Sequence, residues 1–298
     1  MITILSFYKF KKIKKLKSLK NILFKKINYL SIKGLIILSP EGINGTLAGS
    51  TNNINIIKKI IVKNLNISKF DIQNITKSKF IPFFKPKIKI KNEVVPINEK
   101  YNFNKNLKKK YLTPLQWNKF LELKNSKIID VRKPFEHEVG TFKKAINPDT
   151  NNFRDFKNYL STVNKDVKLG MFCTGGIRCE KASNYLHKNG FKNIYMLKGG
   201  IINYFNKIKP KKSKWKGECF VFDNRVTIKK NATPGSYGVC NGCRMPISAK
   251  EMKSSKYKIG LSCPKCYDKL SDDQIKRFTM RHNQIVNSKI KYKFRQKR

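Results

Sequence analysis

No stretch of this chain is long and apolar enough to cross a bilayer. The longest purely aliphatic runs, at residues 35–38 and 60–62, are far short of the about 20 apolar residues a span requires. Mean hydropathy is −0.51. No basic segment precedes the apolar residues 1–8, and no small-residue cleavage site follows them, so no secretory signal is expected. Together these absences predict a soluble, cytoplasmic protein without a membrane partner. Acidic residues are scarce: 18 Asp+Glu stand against 66 Lys+Arg, and none occurs before Glu41. Arginine is scarce as well, with nine in all and none before Arg132. The three histidines, His137, His187 and His282, are too few and too scattered for an iron facial triad. There is no flavin or nicotinamide fingerprint. No Gly-Lys-Ser/Thr follows the glycines at 42 and 45, which excludes a P-loop.

What is abundant is lysine. The net charge of +48 is a field that attracts polyanions, and nucleic acid is the expected partner. Lysine rises here together with Ile and Asn, as in proteins from AT-rich genomes, so part of the charge is compositional. At 298 residues and 40% hydrophobic composition, the chain has room for two or three domains with real cores. Seven cysteines, four of them in CxxC pairs, point to metal binding or thiol chemistry and not to disulfides.

Periodicity predicts a multidomain protein of mixed α+β and α/β class. Residues 1–100 read strand–helix–strand–strand–helix–strand, a ferredoxin-like order, with strands near 2–8, 35–39, 45–49 and 87–95. Ile13, Leu16, Leu23, Ile27 and Leu30 line one helix, stopped near Gly34. Ile54, Ile57, Ile61 and Leu65 line the other. Residues 101–110 are polar and lysine-rich and read as a linker. Residues 111–212 alternate strands (128–131, 168–173, 193–197) with helices (151–160, 178–188). This predicts a parallel sheet, entered through a helix capped by Thr113 with Pro114 at its first position. Residues 213–298 hold the CxxC pairs and a basic tail, 289–298, suited to solvent or phosphate.

The chemistry concentrates at Cys173. The run Cys173-Thr174-Gly175-Gly176-Ile177-Arg178-Cys179 leaves a strand and opens a helix. Backbone N–H groups of Thr174, Gly175, Gly176 and Ile177 can converge there into an anion nest at a helix N-terminus. A cysteine at its edge gains a lowered pKa, and Arg178 adds a fixed positive charge. Cys173 and Arg178 are therefore the candidate catalytic residues. Cys179, in the first helical turn, is either a resolving thiol or a small packing residue. Glu41-Gly42-Ile43-Asn44-Gly45 reads as a tight turn with positive φ at both glycines, with a secondary role in holding an RNA backbone. Cys240-x2-Cys243 and Cys263-x2-Cys266, nineteen residues apart, match zinc-ribbon spacing, the alternative being two unmetallated turns. Cys219 and the helix residues Tyr185 and His187, with Phe191, read as packing.

The Cys-x4-Arg loop resembles that of rhodaneses, as do Asp130-Val131-Arg132 and Leu197-Lys198-Gly199-Gly200. The resemblance narrows further. Cys173 through Ser183 is similar to the signature of bacterial tRNA uridine hydroxylases that carry a rhodanese domain. So are Glu41-Gly42-Ile43-Asn44-Gly45-Thr46, Gly140-Thr141-Phe142-Lys143, Ile146-Asn147-Pro148-Asp149-Thr150, and Trp215-x-Gly217-Glu218-Cys219-Phe220-Val221-Phe222-Asp223. This resemblance implies oxygen-dependent formation of 5-hydroxyuridine at the wobble position of tRNA, recognised at the anticodon. It also implies a persulfide-forming cysteine at Cys173 and O2 as co-substrate. The redox cofactor and the reductant do not follow from these residues. Two other readings stay open on the residues alone: a sulfurtransferase passing sulfane sulfur through Cys173, and an RNA-binding protein whose loop merely holds an anion.

Overall fold

The computed structural model describes residues 1–104, 109–150 and 152–287. They form two compact units, one of 1–219 with 229–233, the other of 220–228 with the chain from 234 onward.

The first unit opens with β1 (Ile2–Phe10), α1 (Leu16–Tyr29), β2 (Lys33–Ser39), β3 (Gly42–Gly49), α2 (Thr51–Leu65), β4 (Ile72–Ser78) and β5 (Pro86–Ile90). The sheet order is β4-β1-β3-β2-β5. The first four strands reproduce the expected ferredoxin-like arrangement. The closing strand, however, is β4, not the segment near 87–95. That segment supplies β5, an added edge strand running parallel to β2. The alternation missed in β4 is Ile72, Asn74, Thr76 and Ser78, a polar stripe that turns out to be buried or half-buried. Both helices lay their predicted apolar stripes on the sheet: Leu19, Leu23 and Ile27 of α1, and Ile54, Ile57, Ile61 and Leu65 of α2, join Leu5, Phe7, Ile36 and Leu47 in one core. Ser31, at φ +51°, makes the turn after α1, and Gly34 lies inside β2. There a Cβ would meet the Thr46 carbonyl at 2.1 Å.

The central part runs β6 (Lys110–Leu112), α3 (Pro114–Phe120), β7 (Ser126–Asp130), α4 (Pro134–Val139), β8 (Gly140–Phe142), α5 (Phe156–Ser161), β9 (Lys168–Phe172), α6 (Ile177–Lys188), β10 (Ile194–Leu197), α7 (Gly200–Lys207) and β11 (Trp215–Gly217). The parallel sheet has order β6-β10-β9-β7. Helix α3 has the expected cap: Gln116 N–H donates to Thr113 Oγ1 and the Gln116 side chain accepts from Thr113 N–H. The helix read at 151–160 is shorter, and α4 was not anticipated because only six residues separate Lys133 from Gly140. A core of Trp117, Phe142, Phe172, Tyr204 and Trp215 lies beneath the sheet, with rings 4.8–6.0 Å apart.

The described part of the presumed linker is not a free tether. Tyr101 stacks on Phe10 at 3.9 Å, and Asn102 exchanges backbone hydrogen bonds of 2.8 Å with the Asn184 side chain. Residues 105–108 lie outside the described residues.

The second unit contains the short strands β12 (Cys219–Phe220, begun in the first unit), β13 (Thr227–Ile228), β14 (Gly238–Val239) and β15 (Pro246–Ile247), then α8 (Asp272–Asn287). The tail at 289–298 lies outside the described residues. Among the described residues no helix is long and apolar enough to cross a membrane.

Candidate active site and metal centre

Strand β9 is flanked by β10 and β7, and Cys173 is the first residue past its C-terminal end. That is where open parallel sheets place ligands. Cys173 is 1% exposed. The loop turns through Gly176, at φ +99°, whose N–H donates to Cys173 Sγ at 3.1 Å. Helix α7 holds the loop from behind. The N–H groups of Ile201 and Ile202 donate to the carbonyls of Cys173 and Thr174 at 3.0 and 3.1 Å. This leaves the loop N–H groups directed at the sulfur. Gly200, at φ +65°, permits the approach, since a Cβ there would lie 2.4 Å from the Cys173 carbonyl oxygen. At Gly175 a Cβ would meet nothing within 4 Å, so the loop opens to space on that side.

Burial alone would raise the Cys173 pKa. The Cys179 side chain, the Arg178 charge and the backbone N–H groups of Cys179 and Arg178 outweigh it and bring the thiol down to about 6. Cys173 is thus a thiolate at neutral pH, as its sequence context predicted. Cys179 moves the opposite way: burial and the neighbouring Cys173 hold its thiol well above its ordinary value, so it stays protonated. Cys219, buried, is pushed up to about 12, in keeping with a packing role.

Arg178 does face the site, but its guanidinium is forked onto Glu136, with Nη1–Oε2 and Nη2–Oε1 at 2.7 and 2.9 Å. Thr174 Oγ1 lies 3.3 Å from Arg178 Nη2 and 3.4 Å from Glu136 Oε1. Burial would raise the Glu136 pKa, but Arg178 and then Arg132 bring it below the usual carboxylate range. Sequence reading missed Glu136. The available signal was its place just after Asp130-Val131-Arg132, on a helix opened by Pro134. Asp130 and Arg132 form a second fork, at 2.8 and 2.6 Å, fully buried and closed by Arg132 donating to the Gly140 carbonyl. Thr141 and Asn147 of the neighbouring motifs bond to the same pair, which makes those motifs a scaffold under the loop.

Helix α6, which carries the loop's exit, is held by the N-terminal domain. Lys181, with 1% of its side chain exposed, lies between Glu41 and Glu93, the latter at 3.0 Å. Glu41 also accepts from Val94 N–H at 3.0 Å. Burial raises the Glu41 pKa in spite of Lys181. Glu180 receives Tyr101, Tyr111 and Lys109. The Glu41 motif is therefore an ion-pair partner and not only a turn. Gly42, at φ +156°, leaves room for the Lys9 carbonyl, whereas Gly45 has no positive φ and is small because the Phe7 ring packs on it. His187 and Tyr185 are half-buried and Phe191 is buried, away from the loop chemistry.

In the second unit Cys240, Cys243, Cys263 and Cys266 converge. All four sulfurs lie within 4.8 Å of one another, with pairs at 3.7–3.9 Å. A tetrahedron of Zn–S bonds near 2.3 Å requires sulfurs about 3.8 Å apart, so the donor set fits. Each pair sits on a knuckle: Arg244 N–H donates to the Cys240 carbonyl, and Cys266 N–H to the Cys263 carbonyl, both at 2.9 Å. The local core is little more than these cysteines with Ile247, Met252 and Tyr257. The cluster is able to bind a metal.

Comparison with known proteins agrees with this architecture. Residues 2–94 match the UPF0176 acylphosphatase-like domain, and residues 113–207 match the rhodanese-like domain. A rhodanese-like domain protein from Staphylococcus aureus is 29% identical over 32% of this chain and 90% of its own, with a TM-score of 0.28. A tRNA uridine(34) hydroxylase from Pelagibacter ubique (strain HTCC1062) is 50% identical, over 96% of this chain and 94% of the relative. With both domains matched and near-complete coverage at that identity, the chain belongs to the tRNA uridine(34) hydroxylase family.

Proposed function

We propose that this protein converts uridine 34 of tRNA to 5-hydroxyuridine, with Cys173 as the reacting thiolate and O2 as the oxygen source. Inserting one oxygen atom at C5 and releasing the other as water needs two electrons and two protons from a reductant. The observation that carries the reading is a buried sulfur held as thiolate in a ring of backbone N–H groups, within a chain of this family. The loop receives and orients an anionic sulfur. Arg178, Thr174 and Glu136 fix its shape, and the N–H groups of Gly176, Arg178 and Cys179 surround the sulfur, so that of the expected nest of Thr174, Gly175, Gly176 and Ile177 only Gly176 donates to it directly. Cys173 is the nucleophile and Arg178 the residue that supports its charge. Cys179, protonated and adjacent, is suited to hydrogen-bond the Cys173 sulfur. The lysine-lined concavity at Lys11, Lys12, Lys14 and Lys15, with Ser18 and Asn64, suits the tRNA backbone. The four-cysteine cluster would hold a structural Zn²⁺ and supply rigidity, with no open position for catalysis.

A second reading, sulfur transfer, is favoured by the loop itself, because a four-residue spacing to Arg178 fits a single added sulfur on Cys173. Mass spectrometry of bulk tRNA from a deletion strain separates the two. Loss of 5-hydroxyuridine derivatives, restored by the wild-type gene and not by Cys173→Ser, supports hydroxylation. Loss of thiolated bases instead would replace it with sulfur transfer.

A further inference from the structure

The N-terminal sheet has two faces, one under α1 and α2 and the other turned toward the central domain. On the second face stands Tyr8 of β1, 3% exposed and in edge contact with Phe10 at 6.0 Å between centroids. A methyl group placed on Gly176 would lie 3.4 Å from Tyr8 Oη. Gly176 is the residue whose N–H holds the Cys173 sulfur, so the phenol stands over the reacting loop. Three tyrosines surround Glu180. Tyr101 and Tyr111 each give their hydrogen to it, but the Tyr8 hydroxyl makes no hydrogen bond to any described residue.

The Tyr8 hydroxyl lies against Gly176, the residue after Gly175, where the loop opens to space. Its placement is also rigid. The sheet is tied to both sides of the loop: through Glu41 and Glu93 to Lys181 on α6, and through Asn74, which donates to the Gly199 carbonyl at 2.8 Å just ahead of α7. Asn206 of α7 in turn donates to the Ile75 carbonyl at 3.0 Å. A donor fixed in advance is what a developing negative charge on substrate oxygen requires.

We propose that Tyr8 is a further residue of the Cys173 site, its neutral phenol donating a hydrogen bond to a carbonyl oxygen of the uracil brought to the sulfur. Burial and the Glu180 carboxylate hold the phenol pKa well above its ordinary value, so it is an O–H donor and never a phenolate facing a thiolate. Uracil carries a carbonyl next to C5, and charge displaced from the C5–C6 double bond gathers on that oxygen. Tyr8 makes and breaks no covalent bond. The N-terminal domain thus supplies part of the site as well as a grip on RNA.

The inference rests on the hydroxylation proposed above. The test uses the full-length chain with O2, a thiol reductant and tRNA from a strain lacking the modification, under conditions where a cell extract supports the reaction, reading 5-hydroxyuridine by mass spectrometry. Tyr8→Phe removes one oxygen that bonds nothing in the protein, so its melting temperature should match wild type. Its kcat should fall about 100- to 1,000-fold, as for loss of one oriented donor. The tRNA Kd and the pH profile of Cys173 alkylation should not move. Tyr8→His, which keeps a ring N–H, should recover part of the loss. Wild-type kcat in Tyr8→Phe would overturn the inference. So would an alkylation profile that shifts with kcat, since Tyr8 would then support the thiolate and not the base. A wild-type chain that forms no 5-hydroxyuridine would refute the proposed function instead, independently of the variant.

Discussion

Replacing Arg178 by Ala should raise the Cys173 pKa, and the effect has two parts. Arg178 supplies an attractive charge to the thiolate and is itself neutralised by Glu136. Its removal therefore takes away a cation and also leaves the buried Glu136 carboxylate without its forked partner. Both act in one direction. An opposite charge within about 4–6 Å shifts a pKa by about 1–3 units. The shift expected here is toward the middle of that range, from about 6 to about 8. At pH 7 the thiolate fraction then falls from about nine tenths to about one tenth, close to a tenfold loss of alkylation rate. Adding Glu136→Gln removes the orphaned carboxylate and should return the midpoint part of the way. Rates of iodoacetamide alkylation across pH 4–10, read at Cys173 by peptide mass spectrometry, give all three midpoints. Identical midpoints in the single and double variants would show that Glu136 does not act on the sulfur. An unmoved midpoint in both would leave the Cys179 side chain and the backbone N–H groups as the whole cause.

The Glu41–Lys181 pair should be strongly coupled. Breaking a buried pair leaves an uncompensated charge at about 3–5 kcal/mol, and because Glu93 still faces Lys181, Glu41→Gln should lie near the lower end, measurable by urea unfolding. The double variant with Lys181→Met should be more stable than the sum of the singles, and strict additivity would contradict the pairing. Glu41, with its native pKa raised, adds stability that is present at low pH and lost as pH rises through that value, so Glu41→Gln should flatten this part of the stability profile. Cys263→Ser should release the metal and unfold the second unit while the Cys173 alkylation profile stays put. Protein purified without chelator should carry close to one equivalent of zinc, and less than a tenth with an ordered cluster would refute the assignment. Affinity for tRNA should fall about 10³-fold or more between 50 and 200 mM salt if about 6–10 phosphates are contacted, and a flat response would mark the lysine excess as composition alone.

The parts legible in the sequence were those governed by local periodicity and local chemistry. The α2 stripe, the Thr113 cap and the strand–Cys–glycine loop–helix order were all readable because each depends on residues within a few positions. Strand β4 escaped because its inward face is Asn74, Thr76 and Ser78: polar side chains buried against another domain look solvent-exposed in a sequence. Glu136 escaped for a related reason. Its partner, Arg178, lies forty-two positions away, and no spacing rule announces a fork closed by the fold. Glu41 was read as part of a turn, since the buried lysine that explains it arrives only with α6.

Burial of β1 on both faces has a consequence during synthesis. The N-terminal domain can close its helix-covered core once about 95 residues have emerged. Its other face, with Ile4, Tyr8 and Phe10, waits for α6 and α7, about 100 residues later. At about 5–20 residues per second the nascent chain carries that face uncovered for about 5–20 s. Over the same interval the segment already emerged, residues 1–95, carries only Glu41, Asp71 and Glu93 as acids, and mutual repulsion between its lysines keeps neighbouring nascent chains apart. A charge that reads as a grip on RNA in the finished protein thus also shields a half-built one from its own copies.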